Sequence, residues 1–230
     1  MSKFKKIIKK NSEKLLIKSF LKYFIQIALK KERLKKRFSF VLTGGPTPIN
    51  LYKKMSKLKI DWDNIDLFWG DERFVPKKSK NSNYQLVHKH LLKKIKINNK
   101  QIYFINTKNK SAQLSAKNYE KKLIAYFKKN KIVFDLILLG MGNDGHIASI
   151  FTEDLNNNSK KIVKSVIRKD FRRITLSLNT INKAKSIFLW LNSKKQTKKF
   201  KLYERNKKNV PAYFLKKKKT IIFTIDSNNI

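Results

Sequence analysis

Apolar residues along this chain fall into two alternating rhythms. Between Ser12 and Lys36 they recur at steps of three and four, at Leu16, Phe20, Phe24, Ile27 and Ala28, the stripe of an amphipathic helix that covers one face of a sheet. Phe38 to Leu42 then runs as a short apolar strand, broken by Thr43-Gly-Gly-Pro-Thr-Pro48. With Thr47 as N-cap and Pro48 at the first helical position, the chain is expected to enter a helix through Leu51, Tyr52, Met55 and Leu58. Ile65 to Trp69 predicts the next strand, Tyr84 to Leu92 a helix, Ile102 to Ile105 a strand, and Ser111 to Lys128 another amphipathic helix. Phe134 to Leu139, broken only by Asp135, predicts a buried strand. Asn156 to Lys161 reads as a polar surface segment, Arg173 to Leu178 as an alternating strand, and Asn179 to Lys185 as a short helical connection. Ser186 to Leu191 predicts a buried strand, Lys195 to about Arg205 a helix, Val210-Pro-Ala212 a turn or short helix, and Thr220 to Ile225 a last strand before a polar tail. Strands alternating with helices place the chain in the α/β class, and no period suggests a repeat array. At 230 residues, residues 1–230 are expected to form one domain around one core.

Composition changes this picture less than its size suggests. The formal charge of +41 points on its face to nucleic acid or an anionic membrane. Yet only seven of the 56 basic residues are Arg, and the Lys excess comes with an excess of Ile and Asn, whose codons are likewise rich in A and T. The skew reads as genomic. Specific nucleic-acid binding is not expected, because readers of bases and phosphates lean on Arg; weak, salt-sensitive adhesion to polyanions is. The few arginines gain interest, since drift toward Lys should spare Arg mainly where a planar fork is needed. With no Cys, there can be no disulfide, cysteine-ligated zinc or thiol nucleophile. The basic N-terminus lacks an uninterrupted apolar region, and Leu15 to Leu29 is cut by Lys18, Lys22 and Gln26, short of the ~20 apolar residues that span a bilayer. A cytoplasmic protein with no membrane partner is expected.

Candidate chemistry sits where strands end. The strand at Phe134 runs into Gly140-Met-Gly-Asn-Asp-Gly-His146, and ligands of open α/β sheets bind beyond the carboxyl ends of strands. Glycines let such a loop close tightly around a small ligand while Asp144 and His146 project into it. The Gly44-Gly45 turn leading into a helix is a candidate anion site, because free backbone N–H groups and the helix dipole favour negative charge. Gly70-Asp-Glu-Arg73 again places charge directly after an apolar strand, at the ligand edge of the sheet; the alternative, a solvated loop with a local ion pair, is weakened because Arg73 is one of only seven arginines. His88 and His90, two residues apart on a helix, do not share a face and are not expected to ligate metal.

In order along nearly the whole chain, Leu42-Thr-Gly-Gly-Pro-Thr-Pro48, Gly70-Asp-Glu-Arg-Phe-Val-Pro76 with Ser82-Asn-Tyr84, Leu139-Gly-Met-Gly-Asn-Asp-Gly-His-Ile-Ala-Ser-Ile-Phe151, Arg173-Ile-Thr-Leu176 and Val210-Pro-Ala212 resemble the 6-phosphogluconolactonase family. The second and third blocks are the specific ones. The resemblance implies hydrolysis of 6-phospho-D-glucono-1,5-lactone to 6-phosphogluconate, in the oxidative pentose phosphate route, without metal or organic cofactor. It also implies an open, mostly parallel twisted sheet with helices on both faces, shared with sugar-phosphate isomerases and deaminases. It makes His146 the base that activates water, a task suited to an imidazole with its ordinary pKa of ~6.5, and Asp144 a candidate to orient the ring. The phosphate would fall to Arg73, Arg173 and Lys195, with donors from Gly44, Gly45 and Thr47; Arg172 and Lys194 are alternatives to their neighbours. The chain departs from the family pattern at Pro46, where a Ser is usual, and at Asn143 and Ile147; Asn192-Ser-Lys-Lys195 replaces a glycine-containing turn. Pro46 removes a hydroxyl and a backbone N–H from the proposed phosphate loop, so weaker affinity is expected rather than lost chemistry. A deaminase of the same fold would carry a carboxylate where this chain has Phe151 and Met-Asp-Glu-Tyr where it has Gly70-Asp-Glu-Arg73. The partner expected is therefore a small sugar-phosphate lactone, bound by a monomer or small homo-oligomer, and a basic nucleic-acid-binding module is the remote alternative.

Overall fold

The computed structural model describes residues 4–128, 131–155, 161–205 and 209–226. Ser12 caps the first helix, α1 (Glu13–Arg33), accepting from the N–H of Leu15, and Leu16, Phe20, Phe24 and Ala28 are buried as the stripe requires. Phe24 packs against Phe38 and Phe40 of β2 (Phe38–Leu42), and Phe20 packs edge-on against Phe188 and Trp190 of β9 (Ser186–Leu191). Truncating either Phe to Ala removes the side chain that seats α1 on the sheet, a change that costs about 3–5 kcal/mol in fully buried sites.

The larger sheet has seven strands in the order β1-β10-β9-β6-β2-β3-β5: β1 (Lys6–Lys10), β10 (Thr220–Ile225), β9, β6 (Leu136–Gly140), β2, β3 (Ile65–Trp69) and β5 (Ile102–Tyr103). Every neighbouring pair is parallel. All residues of β2 and β3 are buried, so both faces of the sheet are covered and the strands read as continuous apolar runs rather than alternating ones. Asp135, the one charge in the run before β6, accepts from Ser39 N and Oγ and pairs with Lys31 and Lys185, joining β2, β6 and β9 below their N-terminal ends. At the other end two buried tyrosines close the strands. Tyr52 of α2 (Ile49–Met55) bonds both backbone groups of Thr43 through its hydroxyl, and Tyr119 of α4 (Ala112–Tyr126) does the same for Trp69. Strand order runs outward from β2 in one direction and from β6 in the other, so the topological switch point lies between their carboxyl ends.

Four expectations need correcting. No strand was expected in Gly70-Asp-Glu-Arg73, yet Asp71–Arg73 form β4, paired antiparallel with β8 (Arg172–Leu176), which pairs with β7 (Val163–Ile167) in a second, three-stranded sheet. Three polar residues carry no period to read, and β7 was hidden because its sequence, VKSVI, is half solvated. Second, Thr47 is not an N-cap; Pro48 occupies that position without a side-chain cap, and α2 spans seven residues rather than reaching Leu58. Third, no element was expected before Ser12, yet the lysine-rich stretch there forms β1, an edge strand with two exposed lysines that discourage further pairing. Fourth, the strand before the reaction loop starts at Leu136, not Phe134. Most of the polar segment expected from Asn156 to Lys161, and the tail 227–230, lie outside the described residues. The remaining helices are α3 (Asn83–His90), α5 (Leu178–Lys183) and α6 (Lys194–Arg205). Among the described residues no helix is long and apolar enough to cross a membrane.

Candidate active site

A cavity of about 180 Å³ opens at the switch point. Its walls come from four places: Thr43 to Thr47 after β2, Asp71 and Arg73 of β4 with Asn83 of α3, Gly140, Met141, Gly142, His146 and Ala148 after β6, and Arg173 of β8. Asp144, expected to project into the site, is exposed and stands behind His146 rather than on the wall. Gly44, Gly45, Thr47, Arg73, His146 and Arg173 are thus brought to one cavity. Lys195 and Lys194 are exposed in the first turn of α6 and do not line it. The side chain that does reach the reaction loop from that turn is Gln196, whose Nε2 donates to Met141 O at 3.0 Å.

The loop after β6 is built around one contact. Nδ1 of His146 lies 2.6 Å from Asp144 Oδ1, which also accepts the His146 backbone N–H. Burial raises the Asp144 pKa, but the charge and hydrogen bonds of His146 outweigh it and leave the carboxyl below its ordinary value. An ionised carboxylate only accepts, so Nδ1 is the ring atom that carries the proton toward Asp144, and in the neutral ring Nε2 is the atom with the lone pair. Two glycines are required by packing. A Cβ on Gly142 would stand 2.1 Å from His146 Cε1, and Gly145 has φ +86° and lies against Val210, where a Cβ would meet the valine side chain at 2.7 Å. That second contact explains how Val210-Pro-Ala212 belongs to the site: Ala212 N donates to Gly145 O. From the other side α6 fixes the loop, with Lys199 Nζ and Tyr203 Oη both donating to Asn143 O. Phe151 closes the loop with its ring 4.5 Å from the imidazole.

The cationic wall is set by sheet register. Arg73 and Arg173 are cross-strand partners in the β4–β8 pair, so their side chains share a face. Arg173 is buried and held by Asp170, whereas Arg172, one residue earlier, is exposed. Arg73 donates through Nη1 to Asn81 O at 2.9 Å, and the Nε–H groups of Arg73 and Arg173 are buried without hydrogen-bond partners among the described residues.

Three polar side chains at the site were missed in the sequence. Asp71 lines the cavity and accepts from Ser149 Oγ at 2.7 Å, which ties β4 to the reaction loop. Asn83 donates to Asp71 through Nδ2 and lies against Gly44, where a Cβ would meet its Oδ1 at 1.8 Å. Glu72 points the other way. It accepts from the N–H groups of Arg73, Asn83 and Tyr84 and from Ser82 Oγ, so it anchors the start of α3, and burial pushes its carboxyl up to about 7 against the pull of those backbone donors. Alternation along β4 was the available signal: Asp71 and Arg73 fall on one face and Glu72 on the other. Among the described residues no three of His, Asp or Glu are placed to hold a metal ion.

A family model described as glucosamine-6-phosphate isomerases/6-phosphogluconolactonase matches residues 11–223. The 6-phosphogluconolactonase of Thermotoga maritima is 29% identical over 204 residues, covering 86% of this chain and 90% of that protein. The one from Synechocystis is 32% identical over 197 residues, covering 82% and 81%. The crystal structure of the Thermotoga maritima 6-phosphogluconolactonase matches with a TM-score of 0.81 at 25% identity over 95% of this chain and 97% of that one. The Trypanosoma cruzi enzyme gives 0.83 at 28% identity over 98% and 96%. The family model's span takes in all four walls of the cavity, and on it the chain belongs to the glucosamine-6-phosphate isomerase/6-phosphogluconolactonase family.

Proposed function

We propose that this chain is a 6-phosphogluconolactonase: it hydrolyses 6-phospho-D-glucono-1,5-lactone to 6-phosphogluconate in the oxidative pentose phosphate route, as a single domain, a monomer or small homo-oligomer, in the cytoplasm. The observation that carries the mechanism is the imidazole at the cavity wall, with Nδ1 tied to an exposed aspartate and Nε2 left as a base. Nε2 takes a proton from water as the oxygen bonds to the lactone carbonyl carbon. The tetrahedral intermediate then breaks its bond to the ring oxygen, which receives that proton from the imidazolium, leaving a free hydroxyl and a carboxylic acid that releases its remaining proton to solvent as the carboxylate. Asp144, ionised below its ordinary range, stabilises the imidazolium between the two steps. Arg73 and Arg173 hold the phosphate, with backbone donors of Gly44 and Gly45 and the hydroxyl of Thr47. Since α2 is only seven residues long, that contribution rests on the loop's own N–H groups rather than on a helix dipole.

Phe151 favours this reading over deamination: the ring against His146 occupies the place where a ring-opening deaminase needs a carboxylate. The test is a coupled assay with freshly generated lactone, following its disappearance above the spontaneous rate. His146→Ala is expected to lower kcat by about 100-fold or more, the loss typical of a general base. Wild-type turnover in that variant would overturn the mechanism, and ammonia release from glucosamine 6-phosphate without lactonase activity would overturn the substrate.

A further inference from the structure

Arg168 lies outside the cavity lining and carries no part of the chemistry above, yet it is one of the seven arginines and its guanidinium carbon sits 4.0 Å from the Phe151 ring centroid. That same ring is 4.5 Å from the His146 imidazole, inclined at 33°. Arg168 is itself held: Nη2 pairs with Asp154 Oδ2 at 2.5 Å, with Glu153 farther off at 3.7 Å. Asp154 Oδ2 also accepts the Phe151 backbone N–H at 2.9 Å, so one carboxylate oxygen fixes both the backbone of the aromatic residue and the cation packed on its ring. The chain of contacts runs Asp154, Arg168, Phe151, His146.

We propose that Arg168 is a positioning residue for the reaction, its planar guanidinium clamping Phe151 against the His146 imidazole so that Nε2 is held at one angle to the bound lactone. The inference rests on the proposed lactonase reading for its kinetic consequence. Its structural content does not. Three features favour a clamp over an incidental surface pair. A guanidinium stacks on an aromatic face where an ammonium meets it as a point charge, so Lys is not equivalent here. The Arg168 side chain is 23% exposed, and its buried Nε makes no hydrogen bond, so packing on the ring, with the Asp154 pair, decides where it lies. His146 has one hydrogen-bonded ring atom, Nδ1, and a single such bond leaves the imidazole free to rock about it unless a neighbouring surface stops it.

The chain has three histidines, so the ring protons of His146 are separable by NMR and are assigned by their loss in His146→Gln. Phe151 shifts them through its ring current, and that shift reports the clamp without any substrate. Arg168→Ala is expected to move the His146 signals toward those of an unstacked imidazole and to lower kcat about three- to tenfold with KM within about twofold, the pattern of a base present but loosely aimed. Asp154→Asn, which keeps the guanidinium but releases its anchor, is expected to change both readouts in the same direction, and Arg168→Lys is expected not to restore them. His146 shifts and kcat at wild-type values in both Arg168→Ala and Asp154→Asn would overturn the clamp, as would full rescue by Lys. If wild-type protein fails to hydrolyse the lactone, the functional reading falls while the NMR shifts still decide the clamp.

Discussion

Gly142→Ala tests the reaction loop with one methyl group. Gly142 is not among the residues with positive φ, so its backbone admits alanine and the perturbation is purely steric. The new Cβ would stand 2.1 Å from Cε1 and 2.2 Å from Nδ1 of His146, and 2.8 Å from Asp144 Oδ1. Carbon atoms in good contact sit about 3.5–4.0 Å apart, so the imidazole must retreat by more than ~1 Å. That movement separates it from Asp144, 2.6 Å away, and withdraws both the tautomer control and the aim of Nε2. A misplacement of that size costs about 100-fold, equivalent to ~2.7 kcal/mol of transition-state stabilisation. The His146 side chain is 27% exposed and can swing outward, so the fold has an escape that does not involve unfolding. The expected result is a kcat about 100-fold down in the coupled lactone assay with a thermal midpoint close to wild type. Adding His146→Ala to Gly142→Ala should cost little more than His146→Ala alone, because both remove the same group. A Gly142→Ala enzyme with near-wild-type kcat would refute the assignment of this imidazole as the base.

Arg73→Ala should raise KM by about tenfold or more with a smaller change in kcat, since a charge-assisted contact to a non-reacting phosphate contributes mainly to binding; unchanged kinetics would show that Arg73 does not meet substrate. Lys195→Ala, exposed and off the cavity wall, should leave KM within about twofold, and a large rise would put Lys195 back among the phosphate ligands. Glu72 supplies a pH test. Its carboxyl is raised in the folded protein from the ordinary 4.5 to about 7, so the folded state holds the proton more tightly than the unfolded state does. The resulting stability is fully present below pH ~4.5 and is lost as pH rises through about 7, an effect of order 3 kcal/mol. Denaturant titrations should therefore show wild type losing stability relative to Glu72→Gln between pH 5 and 8, and a pH-independent difference would contradict the raised value.

Most of the larger sheet, β1 excepted, was legible because its strands are short apolar runs bounded by glycine, proline and polar clusters: the expected limits at Phe38–Leu42, Ile65–Trp69, Ser186–Leu191 and Thr220–Ile225 coincide with β2, β3, β9 and β10. The smaller sheet was not, because β4 is three polar residues and takes its extended form from partners about a hundred positions away in sequence. The same limit applied to the site. His146 and Asp144 could be paired from two residues of spacing, whereas Asp71, Asn83 and Ser149 meet only after β4, α3 and the reaction loop have converged. The scarcity of Arg proved informative. Arg37 forks onto Asp66 through Nε and Nη2, Arg168 pairs with Asp154, Arg173 with Asp170, and Arg73 donates to a backbone carbonyl, while the adjacent Arg172 is exposed. Composition could narrow the candidates, but only strand alternation separates Arg173 from Arg172.

In the proposed function, the cross-strand placement of Arg73 and Arg173 makes anion recognition a property of strand pairing rather than of loop shape. Like charges set opposite one another repel, and Asp170 offsets only Arg173, so on the proposed phosphate site the β4–β8 pair is expected to gain stability when an anion lies between the two guanidinium groups. On that proposal, folding of the small sheet and occupancy of the site are linked, and inorganic phosphate at free concentration c is expected to stabilise the fold by RT ln(1 + c/Kd). Chain-length changes have unequal consequences along this part of the sequence. A residue added to the turn between β7 and β8 displaces Arg168 and Asp170, the groups packed on Phe151 and paired with Arg173, whereas a residue added within β8 changes which side chain stands opposite Arg73.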